Sequence, residues 1–167
     1  SVAGPTGAYE YFAKSASGKV ADARATSPSP AVVVVSILST EGDGTASDEL
    51  IATVNDTLSA DDKRPVADRL TVQSAGIVNY EIDALLYIYP GPESEPILSA
   101  ADDALRAWLA EQGKIGRDVA RSAIMAALHV QGVQRVVLLN PPEDIVIDDT
   151  QAARCISHTI NVGGTDE

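Results

Sequence analysis

The sequence is short of several residue types that carry chemistry or staple small folds. It holds one cysteine, Cys155, so no disulfide can close within the chain, and a reducing compartment fits. Of its two histidines, His129 and His158, the first has no second histidine or cysteine at helical ligand spacing, which argues against zinc. Aromatic residues make up only 4%, so any core must be built thinly from Ala, Val and Leu. Twelve basic residues face twenty-four acidic ones, a formal charge of −12 that would repel a phosphate backbone or an anionic membrane. The cations are not segregated either, since the dense spot Lys63–Arg64 lies beside Asp61 and Asp62. No apolar stretch approaches the roughly 20 residues of a membrane span, and no leader-peptide pattern is visible. GxSxG and GxGxxG are absent. Ser1 in the place of Met points to a fragment of a longer protein.

What is present is a globular composition, 45% apolar over 167 residues. That length suits one ordinary domain or two small ones and needs neither disulfide nor metal to fold. Ala8, Tyr11, Phe12 and Ser15 predict a helix from about Thr6 to Ser15. "KVADARAT" alternates, with Ala21, Ala23 and Ala25 on an inner face, and "AVVVVSIL" is a continuous apolar run of the kind covered on both sides. The two form a hairpin whose loop is stiffened by Pro28 and Pro30. Leu50, Ile51, Val54 and Leu58 predict a helix that stops before Pro65. In "RLTVQSAGIVNYEIDALLYIYP", Val78 to Ile88 share one strand face at alternate positions, and Ala75–Gly76 marks a bend.

"PGPESEPILSAADDALRAWLAEQG" is the strongest helix pattern. Ser94 or Glu95 caps it, Pro96 sits in its first turn, Gly113 gives a left-handed stop, and Ile97, Leu98, Ala101, Leu105, Trp108 and Leu109 form its apolar stripe. A further helix spans about Arg117 to Val130, followed by strands at "VQRVVLLN" and "ARCISHTINV" and a loose tail, residues 163–167. The domain expectation is therefore an N-terminal α+β subdomain over 1–75, a C-terminal one over 76–162, and the tail.

Four features invite a chemical reading. "ILSTEGDGTASDEL" is acidic and glycine-containing, but an EF-hand loop fitted to Gly44 begins at Ser39 and ends at Leu50, where Asp and Glu are needed. A turn at Gly42 and Gly44, with a capping box from Thr45 to Asp48, explains it. Cys155 and His158, three apart on a strand, point to opposite faces and cannot pair; His158 falls in register with Ile156, Ile160 and Val162 as a half-buried packing residue. The acidic pairs Asp102–Asp103, Glu143–Asp144 and Asp148–Asp149 are expected on solvated faces and loop ends. Leu85, Tyr87 and Tyr89 lie on a strand face that begins polar. They form either an exposed protein-contact patch or a surface covered by the second helix.

The ordered set "SVAGPTGAYEYFAKSA", "EGDGTAS", "RPVADRLTVQSA", "YEIDALLYIYPGPE", "GRDVARSAI" and "ALHVQGVQRV" resembles the C-terminal portion of the baseplate assembly protein J family of contractile-tailed phages and prophages. The likeness runs from Ser1 to about Val162. It implies a structural part of the wedges around the baseplate hub, made in the host cytoplasm and carried in the virion. Such a part contacts neighbouring wedge proteins and copies of itself. It implies no catalytic residue, cofactor or metal, and the residues by themselves point to none. The expected fold class is α+β: two small subdomains with mixed or antiparallel sheets covered by helices, the second ferredoxin-like from its strand–helix–helix–strand–strand order. A small-ligand regulatory module is the rival reading, since ferredoxin-like sheets host such sites. An enzyme stands third and would need two carboxylates of shifted pKa in a cleft.

Overall fold

Ten elements alternate in the computed structural model, which describes residues 4–60, 69–91 and 93–165. Helix α1 (Gly4–Ala16) is followed by β1 (Val20–Ser29), β2 (Val32–Ser39), α2 (Asp48–Leu58), β3 (Arg69–Ser74) and β4 (Gly76–Ile88). Then come α3 (Ser94–Gln112), α4 (Arg121–Leu128), β5 (Val133–Asn140) and β6 (Gln151–Thr165). The strands form two three-stranded sheets, in the orders β1-β2-β3 and β5-β4-β6. The fold is α+β in two small subdomains. By contacts, one unit takes residues 1–78, 114–116 and 147–152, and the other takes 79–113, 117–146 and 153–167, so the division is not a single cut.

In the first unit β1 and β2 are antiparallel, as the hairpin pattern predicts, whereas β2 and β3 are parallel. Parallel neighbours need a crossover, and α2 supplies it. The apolar run of β2 makes it the middle strand. Val33, Val35 and Ile37 are buried with Tyr9 and Ala13 of α1 and Leu50, Val54 and Leu58 of α2. Its other face is closed near its end, where Leu38 packs with Ala75, Ile115 and Ala152. There Gln73 donates to the hydroxyl of the buried Ser36 at 3.0 Å. Ala23 and Ala25 point into the core, but Ala21 does not: the register shifts between Val20 and Asp22, and that bulge leaves Ala21 exposed.

Three capping expectations are corrected. Ser47, not a Thr45–Asp48 box, caps α2, its hydroxyl accepting from the Leu50 N–H at 3.1 Å. Glu93 takes the N-cap position of α3 without a side-chain hydrogen bond, and Gly113 ends that helix at φ −76°, outside the left-handed region. Helix α4 begins at Arg121 instead of Arg117 because Ile115 and Val119 are drawn into bridges with Ala152 and Ile145. Helix α2 ends at Leu58; Pro65, together with Lys63–Arg64, lies outside the described residues.

In the second unit β4 and β5 are antiparallel. Ser157 reaches Glu81 and Gly163 reaches Tyr87, an equal step along both strands, so β6 runs parallel to β4. The strand–helix–helix–strand–strand order is present. With three strands among the described residues, however, the sheet shows neither the second βαβ half nor the fourth strand of a ferredoxin-like fold. Ile82, Ala84, Leu86 and Ile88 are buried at 5% exposure or less, as the alternation predicts. From α3, Ile97, Ala101 and Leu105 are buried, while Trp108 is only half-buried, so the stripe is narrower than its sequence pattern. Gly163 to Thr165 are part of β6 and not of a loose tail. No helix among the described residues is long and apolar enough to cross a membrane.

Candidate functional site

The residues singled out in the sequence do not converge on one site. In the loop after β2, Gly42 and Gly44 both have positive φ, and a Cβ on Gly44 would meet Leu38 Cδ1 at 2.8 Å. Asp43 accepts from the Thr45 N–H at 2.9 Å, and Glu41 lies 3.6 Å from Lys19 Nζ. Those carboxylates are occupied in forming a turn.

Cys155 and His158 are held apart. The Cys155 thiol donates to the Ser157 carbonyl at 3.2 Å, and burial raises its pKa, the opposite of an activated thiolate. His158 Nε2 lies 2.9 Å from Asp102 Oδ1 on α3, and Arg106 Nε donates to the other oxygen of Asp102 at 2.7 Å. The Arg106 hydrogen bond, then that of His158, holds the Asp102 carboxyl below its ordinary pKa. A carboxylate gripped in this way ties a helix to a strand and is poorly placed to take up a proton.

The other acidic pairs also have structural partners. Asp144 Oδ1 accepts from the Arg121 N–H at 2.8 Å, serving the start of α4 from outside the helix. Arg121 further donates to the carbonyls of Pro141 and Leu138, fixing the loop after β5. Asp148 accepts from both the N–H and the hydroxyl of Thr150, which lower its pKa. Asp149 pairs with Arg24 at 2.8 Å, and Asp22 accepts from the Ile115 N–H at 2.9 Å, fastening residues 114–116 and 147–152 within the first unit. No local pattern marks Arg24, Asp22 or Arg121 as fasteners, because their partners lie up to 125 positions away. Beside the Arg121-held loop is an open cleft of about 520 Å³, lined by Tyr80, Glu81 and residues 140–146. The Tyr80 phenol at its edge has its pKa raised by burial and then by the nearby Cys155, so it stays protonated.

Leu85 and Tyr87 lie on the face of β4 opposite the buried Ile82–Ile88 series, and α3 lies on the buried side, where it meets His158. Leu85 stands opposite Val137 and Tyr87 opposite Arg135 on β5. The Arg135 guanidinium sits 3.7 Å from the centre of the Tyr87 ring, a cation–π contact. A Cβ on Gly163 would come within 2.8 Å of that ring, so the glycine lets the tyrosine lie flat along β6. Tyr89, just past the strand, is 47% exposed, as is Leu139. The arrangement is a mixed face, with Leu85 and Val137 beside Asp83 and Arg135 and the Tyr87 ring laid across it. It presents shape and polarity, with no nucleophile, base and oxyanion donor assembled together.

Comparison with known proteins gives the arrangement a context. Residues 1–74 match the model of the Baseplate J-like central domain, and residues 71–162 match that of the Baseplate J-like protein C-terminal domain. Baseplate protein J of Escherichia phage P2 is 56% identical over all 167 residues, which span 55% of its length, so the chain covers about half of this curated relative. A chain in the six-fold symmetrised cryo-EM structure of the anti-feeding prophage baseplate shares the fold, with a TM-score of 0.55 at 12% identity over 90% of this chain and 36% of that one. On the family matches and the full-length identity, the chain belongs to the baseplate J-like family.

Proposed function

We propose that this chain is a structural component of a contractile-tail baseplate, acting through protein–protein contacts in the virion after assembly in the host cytoplasm. The observation that carries the reading is the 56% identity to Baseplate protein J of phage P2, unbroken over the whole chain. The chemistry agrees with it: Asp102, Asp144, Asp148 and Asp149 hold the fold together, and Cys155 is not activated. Leu85, Tyr87 and Tyr89 are the proposed contact residues, because Leu85 and Tyr87 on the open sheet face and the exposed Tyr89 just beyond it are the material of interfaces. Neighbouring baseplate proteins and further copies of the chain are the proposed partners.

Replacement is the test. The chain is grafted in place of the matching 55% of the phage P2 protein, and tails are counted by electron microscopy and plaque titre. Tails of normal baseplate form are expected from the graft. A soluble graft that yields no tails overturns the reading. A Tyr87→Ala/Tyr89→Ala double variant that melts normally and still gives a full titre removes those residues from the contact surface.

A further inference from the structure

The four sheet edges of the molecule are not alike. Edge strands expose unpaired N–H and C=O groups, and proteins guard them with short length, charge, proline or bulges. Strand β1 carries Asp22, Arg24 and Pro28 and shifts register twice. Strand β3 has six residues and starts at Arg69. Strand β5 has eight residues, carries Arg135, shifts register twice and runs into Pro141–Pro142. Strand β6 is the exception. It is 15 residues long, and from Cys155 to Thr165 it contains no Lys, Arg, Asp, Glu or Pro. Among the described residues no strand lies on its outer side.

That edge adjoins a groove of about 430 Å³ between β6 and α3. Glu95, Leu98 and Asp102 form the helix wall, and His158 to Ile160 form the strand wall. An open edge beside a helix-walled groove is the geometry of strand addition, in which main-chain hydrogen bonds give affinity and alternate side chains give specificity. The structure thus assigns β6 a role beyond its own sheet: we propose that its outer edge accepts an extended segment of a neighbouring baseplate protein. This rests on the baseplate reading and names a contact within it. Alternate side chains of the incoming strand face the groove, apolar against Leu98 and Ile160, with a Lys or Arg against Glu95.

Charge selects this occupant over a second copy. Helix α3 carries Glu95, Asp102, Asp103 and Glu111 against Arg106 alone. Pairing β6 with the β6 of another copy would bring two such helices side by side, about 10 Å apart. Like charges would then repel across the seam, in a chain whose formal charge is already −12. A basic segment from a different protein meets Glu95 in the groove favourably, Asp102 there being already held by Arg106 and His158.

Hydrogen exchange on the graft described above tests the edge. In assembled tails, amides between Cys155 and Gly163 are expected to exchange at least about 100-fold more slowly than in the isolated chain. Thr159→Lys/Asn161→Lys places guards on exposed edge positions; it should leave the melting temperature unchanged and lower the tail titre by about 100-fold. Glu95→Lys should lower it by about 10-fold, and Glu95→Gln by less. If tails form but β6 exchange is unchanged, or the lysine pair is tolerated, this inference falls and the baseplate reading stands. If the unmodified graft yields no tails, both fall. Protection of β6 in the isolated chain at high concentration, with sedimentation doubling to a dimer, would make a second copy the occupant and overturn the basic partner.

Discussion

The middle strands of the two sheets receive opposite treatment. On β2, Val33, Val35 and Ile37 face α1 and α2, and Ser36 and Leu38 on the other face are also buried. On β4 one face is as deeply buried, but Asp83, Leu85 and Tyr87 on the other remain half-exposed. From Ala84 onward β4 is as continuous an apolar run as β2, so over that stretch hydrophobicity alone does not separate them. What separates them is whether the chain returns to cover the second face. For β2 it does, through Ile115 and Ala152, and those segments are fastened by Asp22 and Arg24. For β4 it leaves glycines at 163 and 164 and a tyrosine laid across them. One sheet is a finished core; the other offers a surface.

Truncation should expose that contrast most strongly. Ile37→Ala empties a site that is fully buried and is expected to destabilise the chain by about 2–5 kcal/mol, whereas Leu85→Ala should lose under about 1.5 kcal/mol. Urea melts of both variants decide it, and equal losses would end the distinction between a closed and an open face. A local clash is tested by Gly163→Ala, whose methyl group meets the Tyr87 ring at 2.8 Å. A loss of about 1–3 kcal/mol is expected, relieved in the double variant with Tyr87→Ala. No relief would mean that the ring is not what requires the glycine.

Helix α3 sharpens the same point on the covered side. Leu105 is fully buried and Trp108 half-buried, so Leu105→Ala should cost about 2–4 kcal/mol and Trp108→Ala only about 1–2 kcal/mol. The order of the two midpoints in urea is the measurement, and a larger loss at Trp108 would widen the helix's buried stripe. The smallest effect concerns Asp102. Its pKa is lowered in the folded chain, chiefly by Arg106, so its contribution to stability is complete above the unfolded value near 3.9 and is lost as pH falls through the folded value. The side chain is 36% exposed, which holds the contribution to under about 0.5 kcal/mol. The stability difference between the parent chain and Asp102→Asn should be flat above about pH 5 and shrink below about pH 4. A difference that persists at pH 3 would mean that the seam depends on packing and not on charge.

How much was legible beforehand depended on the range of the interaction. The strand alternation of residues 78–88 and the apolar run of β2 are short-range patterns, and both were read correctly from spacing. The structure departs from the local pattern where a competing neighbour or a distant partner takes up the group concerned. Thr45 and Asp48 have capping-box spacing, yet Ser47 caps the helix while Asp43 turns back to Thr45. Helix α4 loses its first turn to the bridges at Ile115 and Val119. Gly163 and Gly164 resemble a tail in isolation; against the ring of Tyr87 they are a strand.

The sequence by itself determined the fold class, the order of the elements, the placement of Leu85 and Tyr87 on one strand face, and the family, because periodicity and ordered motifs are written along the chain. It also ruled out direct pairing of Cys155 with His158, since a strand's side chains alternate. The tertiary structure alone decided which segments seal the second face of β2, which carboxylates serve as fasteners, and which sheet edge is left unguarded. Those depend on partners such as Arg24 and Asp149, 125 positions apart, whose meeting is fixed by packing and main-chain hydrogen bonding and by no local pattern.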